Sequence, residues 1–244
     1  MTAPEVVVRP DADDLAATVA RELVARLTAA QAEHGTASVV LTGGGIGTAV
    51  LRAVAADGGD LDWTRVDVWW GDERWVPAAD DDRNEKGARE ALLDVVGVPA
   101  DRVHPIPASD AGFAEPEDAA AAYAAELTRV GDGALPRIDV LLLGVGPEGH
   151  VASIFPDSPA VDDPRPVVAV RDCPKPPPTR VSLGYGVITG AEEVWLLVSG
   201  EGKAEAVARA LSGRETATTL PAAGAVGRTA TRWLLDAEAA SQLT

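Results

Sequence analysis

Cysteine is almost missing from this chain. Cys173 stands alone among 244 residues, so no intramolecular disulfide can form, and a lone thiol fits a reducing compartment. Histidine is nearly as scarce, with three residues. No Cys/His group has the spacing of zinc ligands, so no metal is expected. No apolar run approaches the ~20 residues of a membrane-spanning helix. The opening "MTAPEVVVRPDADD" lacks the basic and apolar regions of a signal peptide. Positive charge is also in deficit: the formal net charge is -17, which repels nucleic acid and anionic membranes alike. A cytoplasmic protein with neither of those partners is the expectation. An anionic small molecule stays possible, because it needs only a local basic cluster. Lysine is confined to Lys86, Lys175 and Lys203. With the abundant alanine, that reads as a coding bias and not as a function.

What is present is an ordinary globular composition, 46% hydrophobic and 24% charged. The length suits one large α/β domain or two small ones; the reading adopted is a single domain over 1–244. "DADDLAATVARELVARLTAAQAEHG" predicts a helix, with aspartates at its start, Leu15, Val19, Leu23 and Leu27 on one face, and Gly35 as its stop. "ASVVLTGGG" is a buried strand running into glycines, and "TAVLRAVAA" the helix after it. "RVDVWWGDERWVP" is a strand with a charged exit, followed by the loop "AADDDRN" and a helix over "EKGAREALLDVVG". "EPEDAAAAYAAELTRVG" is helical, and "RIDVLLLGVG" is a strand apolar enough to be buried on both faces. "RPVVAV", "TRVSLGYG", "EEVWLLVSG" and "TATRWLLD" read as strands, with a helix over "GKAEAVARALSG". Strands and helices alternate, which implies a mostly parallel sheet with helices on both faces. Ligands in such sheets bind beyond the carboxyl ends of the strands. Gly43–Gly45, Gly71–Arg74, Gly144–His150 and Ser199–Lys203 all fall there, which points to one shared site.

Two glycine loops imitate cofactor motifs. In "LTGGGIGTAV" the opening of a T-G-x-x-x-G dehydrogenase motif is present, but Tyr123 and Tyr185 lack the lysine four residues on that such an enzyme needs. What survives is a glycine turn at a helix N-terminus, where backbone N–H groups can surround an anion; a tight turn with no ligand is the plainer alternative. Gly144, Gly146 and Gly149 spell G-x-G-x-x-G, yet Pro147 and His150 interrupt the loop and "IFPDSP" forbids the long crossover helix of a dinucleotide site. No cofactor is expected.

His150 follows that loop. An imidazole titrates near neutral pH and can serve as a general base, and Glu148 is placed to orient it. A loop histidine can equally be a hydrogen-bonded turn residue; the position beside the other loops favours chemistry. His34 at a helix end and His104 in "RVHPIP" read as structural. Asp72, Glu73 and Arg74 form a charged strand exit, where an arginine can fork onto a phosphate. Lys203 opens a helix, where a cation opposes the dipole unless an anion sits there too. The proline-rich "CPKPPPTR" is a stiff surface loop or a support that presents Lys175 or Arg180 to the site.

With these residues in place, the chain resembles the 6-phosphogluconolactonase family. "GVGPEGHVASIFP" is similar to that family's G-x-G-x-D-G-H-T-A-S-L-F-P, and "GDERWVP" with "DDDRN" to its D-E-R-x-V-P and D-S-N segments. "PKPPPTRVSLGYGVI", "VSGEGKAEAV" and "LPAA" match in type and order, so the likeness runs from about Val39 to Asp236. Glu148 stands for the usual Asp, Val151 for Thr and Arg83 for Ser, and "TGGG" for S-G-G-S or S-G-G-T. The charge chemistry is kept, so these read as variation within one activity.

The resemblance implies hydrolysis of 6-phospho-D-glucono-1,5-lactone to 6-phospho-D-gluconate, the second step of the oxidative pentose phosphate pathway. It also implies a modified Rossmann-like fold shared with sugar-phosphate isomerases and deaminases. His150, aided by Glu148, would take the proton from water, and glycine-loop N–H groups would stabilise the oxyanion. Arg74, Arg180 and Lys203 would hold the phosphate over a floor of Gly43, Gly44 and Gly45. Asp72, Glu73, Asn84 and Gly146 complete the binding positions. The expected partner is a phosphorylated sugar lactone, and the expected state a monomer or weak homo-oligomer. Two rivals share this reading's phosphosugar ligand. One is a glucosamine-6-phosphate deaminase or isomerase, disfavoured because its D-E-Y and D-G-H-I-A-F-N-E-P segments are not matched here. The other is a non-catalytic sugar-phosphate sensor.

Overall fold

The chain is described from a computed structural model, which covers residues 3–57, 59 and 61–243. In chain order it runs β1 (Glu5–Arg9), α1 (Ala12–His34), β2 (Ala37–Leu41), α2 (Gly44–Ala56), β3 (Val66–Trp70) and β4 (Asp72–Arg74). There follow α3 (Asn84–Ala88), α4 (Asp94–Val96), α5 (Pro116–Val130), β5 (Val140–Gly144), β6 (Val167–Val170) and β7 (Arg180–Leu183). The last third holds α6 (Tyr185–Ile188), β8 (Glu193–Val198), α7 (Ala204–Leu211), α8 (Pro221–Gly224) and β9 (Ala230–Asp236).

Six strands form one parallel sheet in the order β1-β9-β8-β5-β2-β3. The alternation of the sequence dictated this: β2 is buried at every position and β5 at all but its last, as strands covered on both faces must be. Helix α1 shows why its borders were readable. Asp11 caps it by accepting from the Asp14 amide at 2.9 Å, and Gly35 ends it at φ +84°, a left-handed turn that glycine adopts without strain. Leu15, Val19, Leu23 and Leu27 are all buried along one face. No helix among the described residues is long and apolar enough to cross a membrane.

Three features depart from the sequence reading. "EVVVR" is a strand, β1, held on the sheet edge by β9 and by Arg232, whose Nε lies 2.7 Å from Glu5 Oε2. The segment read as one strand with a charged exit is two: after Trp70 the chain turns at Gly71 into β4. That strand belongs to a separate antiparallel sheet ordered β4-β7-β6. The helix over "EKGAREALLDVVG" is not uniform, because Arg89–Leu93 form a π turn between α3 and α4.

Strand order places the site. From β2 the chain moves outward to β3; from β5 it moves outward the other way, to β8. The reversal lies between β2 and β5, whose carboxyl ends carry the two glycine loops. A crevice at such a switch point is where open α/β sheets bind ligands.

Candidate active site

The four predicted stretches do meet. They surround a cavity of about 300 Å³ at the switch point. The β2 exit supplies Gly43, Gly44 and Gly45, and the β5 exit supplies Gly146 and His150. Asp72 and Arg74 enter from β4, Asn84 from the start of α3, Arg180 from β7, and Lys203 from the turn before α7. Thr42 and Lys175 also line it. Glu148 does not line it but lies 3.2 Å from His150. Glu73 does not line the cavity.

The histidine loop is a tight turn. The Gly149 amide donates to Gly146 O at 2.9 Å and the Gly146 amide to His150 O at 3.0 Å, with Gly149 at φ +89°. Both N–H groups are thus spent inside the turn. The leading amides of α2, by contrast, have no partner within the helix and can face an anion. Gly146 must be glycine: a Cβ there would lie 2.0 Å from His150 Nδ1 and 2.7 Å from Glu148 Oε2. Both side chains therefore fold back over it.

His150 Nδ1 lies 3.2 Å from Glu148 Oε1, in ion-pair range but without hydrogen-bond alignment. The ring packs on Phe155, with centroids 4.4 Å apart. Burial pulls the imidazole below its usual pKa, and Lys175 pulls the same way, against the opposing carboxylates of Glu148 and Asp72. The net effect favours the uncharged ring. Burial pulls the Glu148 carboxyl up, but its own backbone amide, His150 and Lys175 together hold it below the usual carboxylate range.

Cations line the same cavity. Arg74 is anchored by donating from Nη1 to Asp82 O. Arg180 is buried and 3.9 Å from Asp72 Oδ2, and Asp72 in turn accepts from Ser153 Oγ at 2.6 Å. Lys203 Nζ donates to Ser199 O at 3.0 Å. Burial lowers its pKa and Lys175 adds to that, against the pull of Asp236. A half-buried ammonium at a helix start gains from an anion beside it.

Glu73 corrects the sequence expectation. On β4 successive side chains point to opposite faces, so Asp72 and Arg74 reach the cavity and Glu73 points away. It is 1% exposed and accepts from the amides of Arg74, Asn84 and Glu85 at 2.8–2.9 Å. It supports the site from behind. Two participants went unread in the sequence: Thr42, whose Oγ1 accepts from the Gly144 amide at 3.1 Å and ties the two glycine loops together, and Ser153. Their only signal was adjacency to the loop motifs.

Asn84 sets the shape of the glycine loop. Its Nδ2 donates to Asp72 O at 2.9 Å, and its Oδ1 fills the space a Cβ on Gly43 would take, 1.9 Å away. In Gly43→Ala the carboxamide must swing off Asp72. Loss of one buried hydrogen bond beside the cavity is expected to lower kcat/KM about tenfold while the fold persists. Steady-state kinetics with a melting curve check this; an unchanged kcat/KM refutes it.

A parallel α/β sheet whose switch-point cleft combines a largely buried histidine, a helix N-terminus and several cations is of the class that handles small phosphorylated substrates. More particularly, the chain belongs to the glucosamine-6-phosphate isomerase/6-phosphogluconolactonase family, whose model matches residues 10–233. It is 52% identical to the 6-phosphogluconolactonase of Mycobacterium tuberculosis over 96% of either chain. To that of Streptomyces coelicolor it is 50% identical, over 98% of this chain and 95% of the other. The solved 6-phosphogluconolactonase of Trypanosoma brucei superposes with a TM-score of 0.84 at 29% identity, covering 100% of both chains.

Proposed function

We propose that residues 1–244 act as one catalytic unit that hydrolyses 6-phospho-D-glucono-1,5-lactone to 6-phospho-D-gluconate, with His150 as general base. The observation that carries this reading is the pairing, in one cavity, of a largely buried imidazole, its pKa drawn down, beside a carboxylate, with Arg74, Arg180 and Lys203. Relatives bearing that activity in their names, at half identity over nearly the whole chain, support the same substrate.

The phosphate rests against Arg180, Lys203 and the first turn of α2, with Arg74 on the far side. That leaves the lactone carbonyl near His150. Water attacks C1 while the imidazole takes its proton. The oxyanion collapses, the bond from C1 to the ring oxygen breaks, and the imidazolium returns the proton to that leaving oxygen. The products are a carboxylic acid, which ionises, and a free hydroxyl. A lactone is already an activated ester, so the sequence needs no cofactor. The chain works in the cytoplasm as a monomer or weak homo-oligomer.

The test is a lactonase assay with substrate generated in place and spontaneous hydrolysis subtracted. Turnover above background is expected. Steady ammonia release from glucosamine 6-phosphate would replace the reading with a deaminase, and phosphogluconate binding without any turnover would replace it with a sensor.

A further inference from the structure

Glu148 is one methylene longer than the aspartate common at its place in the resembling motif, and its carboxylate is held at both ends. Oε1 faces His150 Nδ1 at 3.2 Å, and Oε2 accepts from Lys175 Nζ at 3.1 Å. Lys175 comes from a different part of the fold, the proline-rich segment leading into β7. The backbone of that segment is fixed. Arg180 Nη2 donates to Lys175 O and Pro176 O at 3.3 Å each, and Nε to Pro177 O at 3.1 Å. The Cys173 amide donates to Pro178 O at 2.9 Å. A buried guanidinium thus grips three successive carbonyls, and the lysine that emerges from them meets the carboxylate beside the base.

We propose that Lys175 is a positioning residue for the hydrolysis: its ammonium clamps Glu148 against His150 and sets the charge that the imidazole feels. This rests on the reading of His150 as the base. The contact the structure gives the Lys175 ammonium is with the Glu148 carboxylate, and the variants below separate that role from a hold on the phosphate. The charged groups facing His150 are Glu148 on its own loop, Asp72 on β4 and Lys175 on the proline-rich segment. Removing Lys175 takes away the one cation of the three and leaves Glu148 less neutralised. Both changes favour the imidazolium.

In Lys175→Met the acid limb of kcat/KM is therefore expected to move to higher pH. The plateau kcat should fall about tenfold, the scale of one lost charge-assisted hydrogen bond, with KM within about twofold. Lys175→Arg, which keeps the charge, should return the limb toward its original position. An NMR titration of His150 in the free protein should shift in the same sense, independently of turnover. An acid limb and a His150 titration that both stay put in Lys175→Met overturn the proposal, as does a large rise in KM with the limb unmoved, which would make Lys175 a phosphate ligand. The underlying reading fails separately: it falls only if His150→Ala keeps its activity, whatever the lysine variants do.

Discussion

His150→Ala is expected to lower kcat for lactone hydrolysis by about 10²–10⁴-fold, the usual yield of a positioned general base, with KM changed little. The imidazole meets Phe155 and Glu148 and lines the cavity, so its loss removes the proposed proton acceptor and leaves Arg74, Arg180 and Lys203 in place. The pH profile gives a sharper check. Burial, the largest influence, pulls the His150 pKa below the usual histidine value. Below that lowered value the ring is protonated and cannot accept, so the wild-type kcat/KM should hold through neutral pH and fall only on the acid side of ordinary histidine titration. The residual activity of His150→Ala should lack that limb. Stability carries the same signature. The unfolded chain takes up a proton in the ordinary histidine range while the folded chain resists it, so stability is lost as pH falls from that range through the lower folded value. The alanine variant should lose this part of the slope. Hydrolysis by His150→Ala at the wild-type rate would remove the imidazole from the chemistry.

How far the sequence could be read depended on what each residue's neighbours in the chain reveal. Strands β2, β5 and β8 were legible because burial on both faces leaves continuous apolar runs, and α1 because its cap and its glycine stop are local signals. Strand β1 was not, because five residues with Val6 and Val8 exposed give no strong pattern. Its partner, β9, lies at the other end of the chain. The change of sheet at Gly71 was hidden because "VDVWWGDER" continues without a break; what separates β3 from β4 is pairing with β7, over a hundred residues later. The convergence of the loops followed from the rule that strand exits carry sites. The assignment of Glu73 to the cavity did not survive, because three adjacent charges look alike in a sequence and alternate in a strand. Lys175 was one of two cations the proline-rich loop could have presented; the fold brings both to the cavity, Arg180 through a buried guanidinium and Lys175 through Glu148.

Glu73→Ala is expected to destabilise the protein by about 3–5 kcal/mol, the cost of breaking a buried ionic group by removing one partner. Arg83, at the N-cap of α3, makes no side-chain bond to the helix's leading amides, so those amides depend on Glu73. Oε1 takes the Asn84 and Arg74 amides and Oε2 the Glu85 amide, with the buried Arg83 guanidinium 3.7 Å away. An ionised carboxylate, acceptor on both oxygens, is the form those donors match. Alanine leaves three amides short of an acceptor and Arg83 short of a counter-charge, although Glu85 Oε2, at 2.8 Å, retains part of it. For a chain of this size about 2–4 °C is lost per kcal/mol, so calorimetry should show Tm falling by roughly 10 °C. Glu73→Gln, which keeps one acceptor oxygen, should lie between that variant and the wild type. Burial, the largest influence, pushes the Glu73 carboxyl up against Arg83 and the amides. The folded chain therefore holds this proton more tightly than the unfolded chain. Stability should decline as pH rises from the ordinary glutamate range through the folded value, and then level off; glutamine removes that decline. Because Asn84 and Arg74 hang from the same carboxylate, kcat/KM should fall together with Tm. A Glu73→Ala protein that melts within about 2 °C of the wild type would show that the α3 start and the cavity wall hold without it.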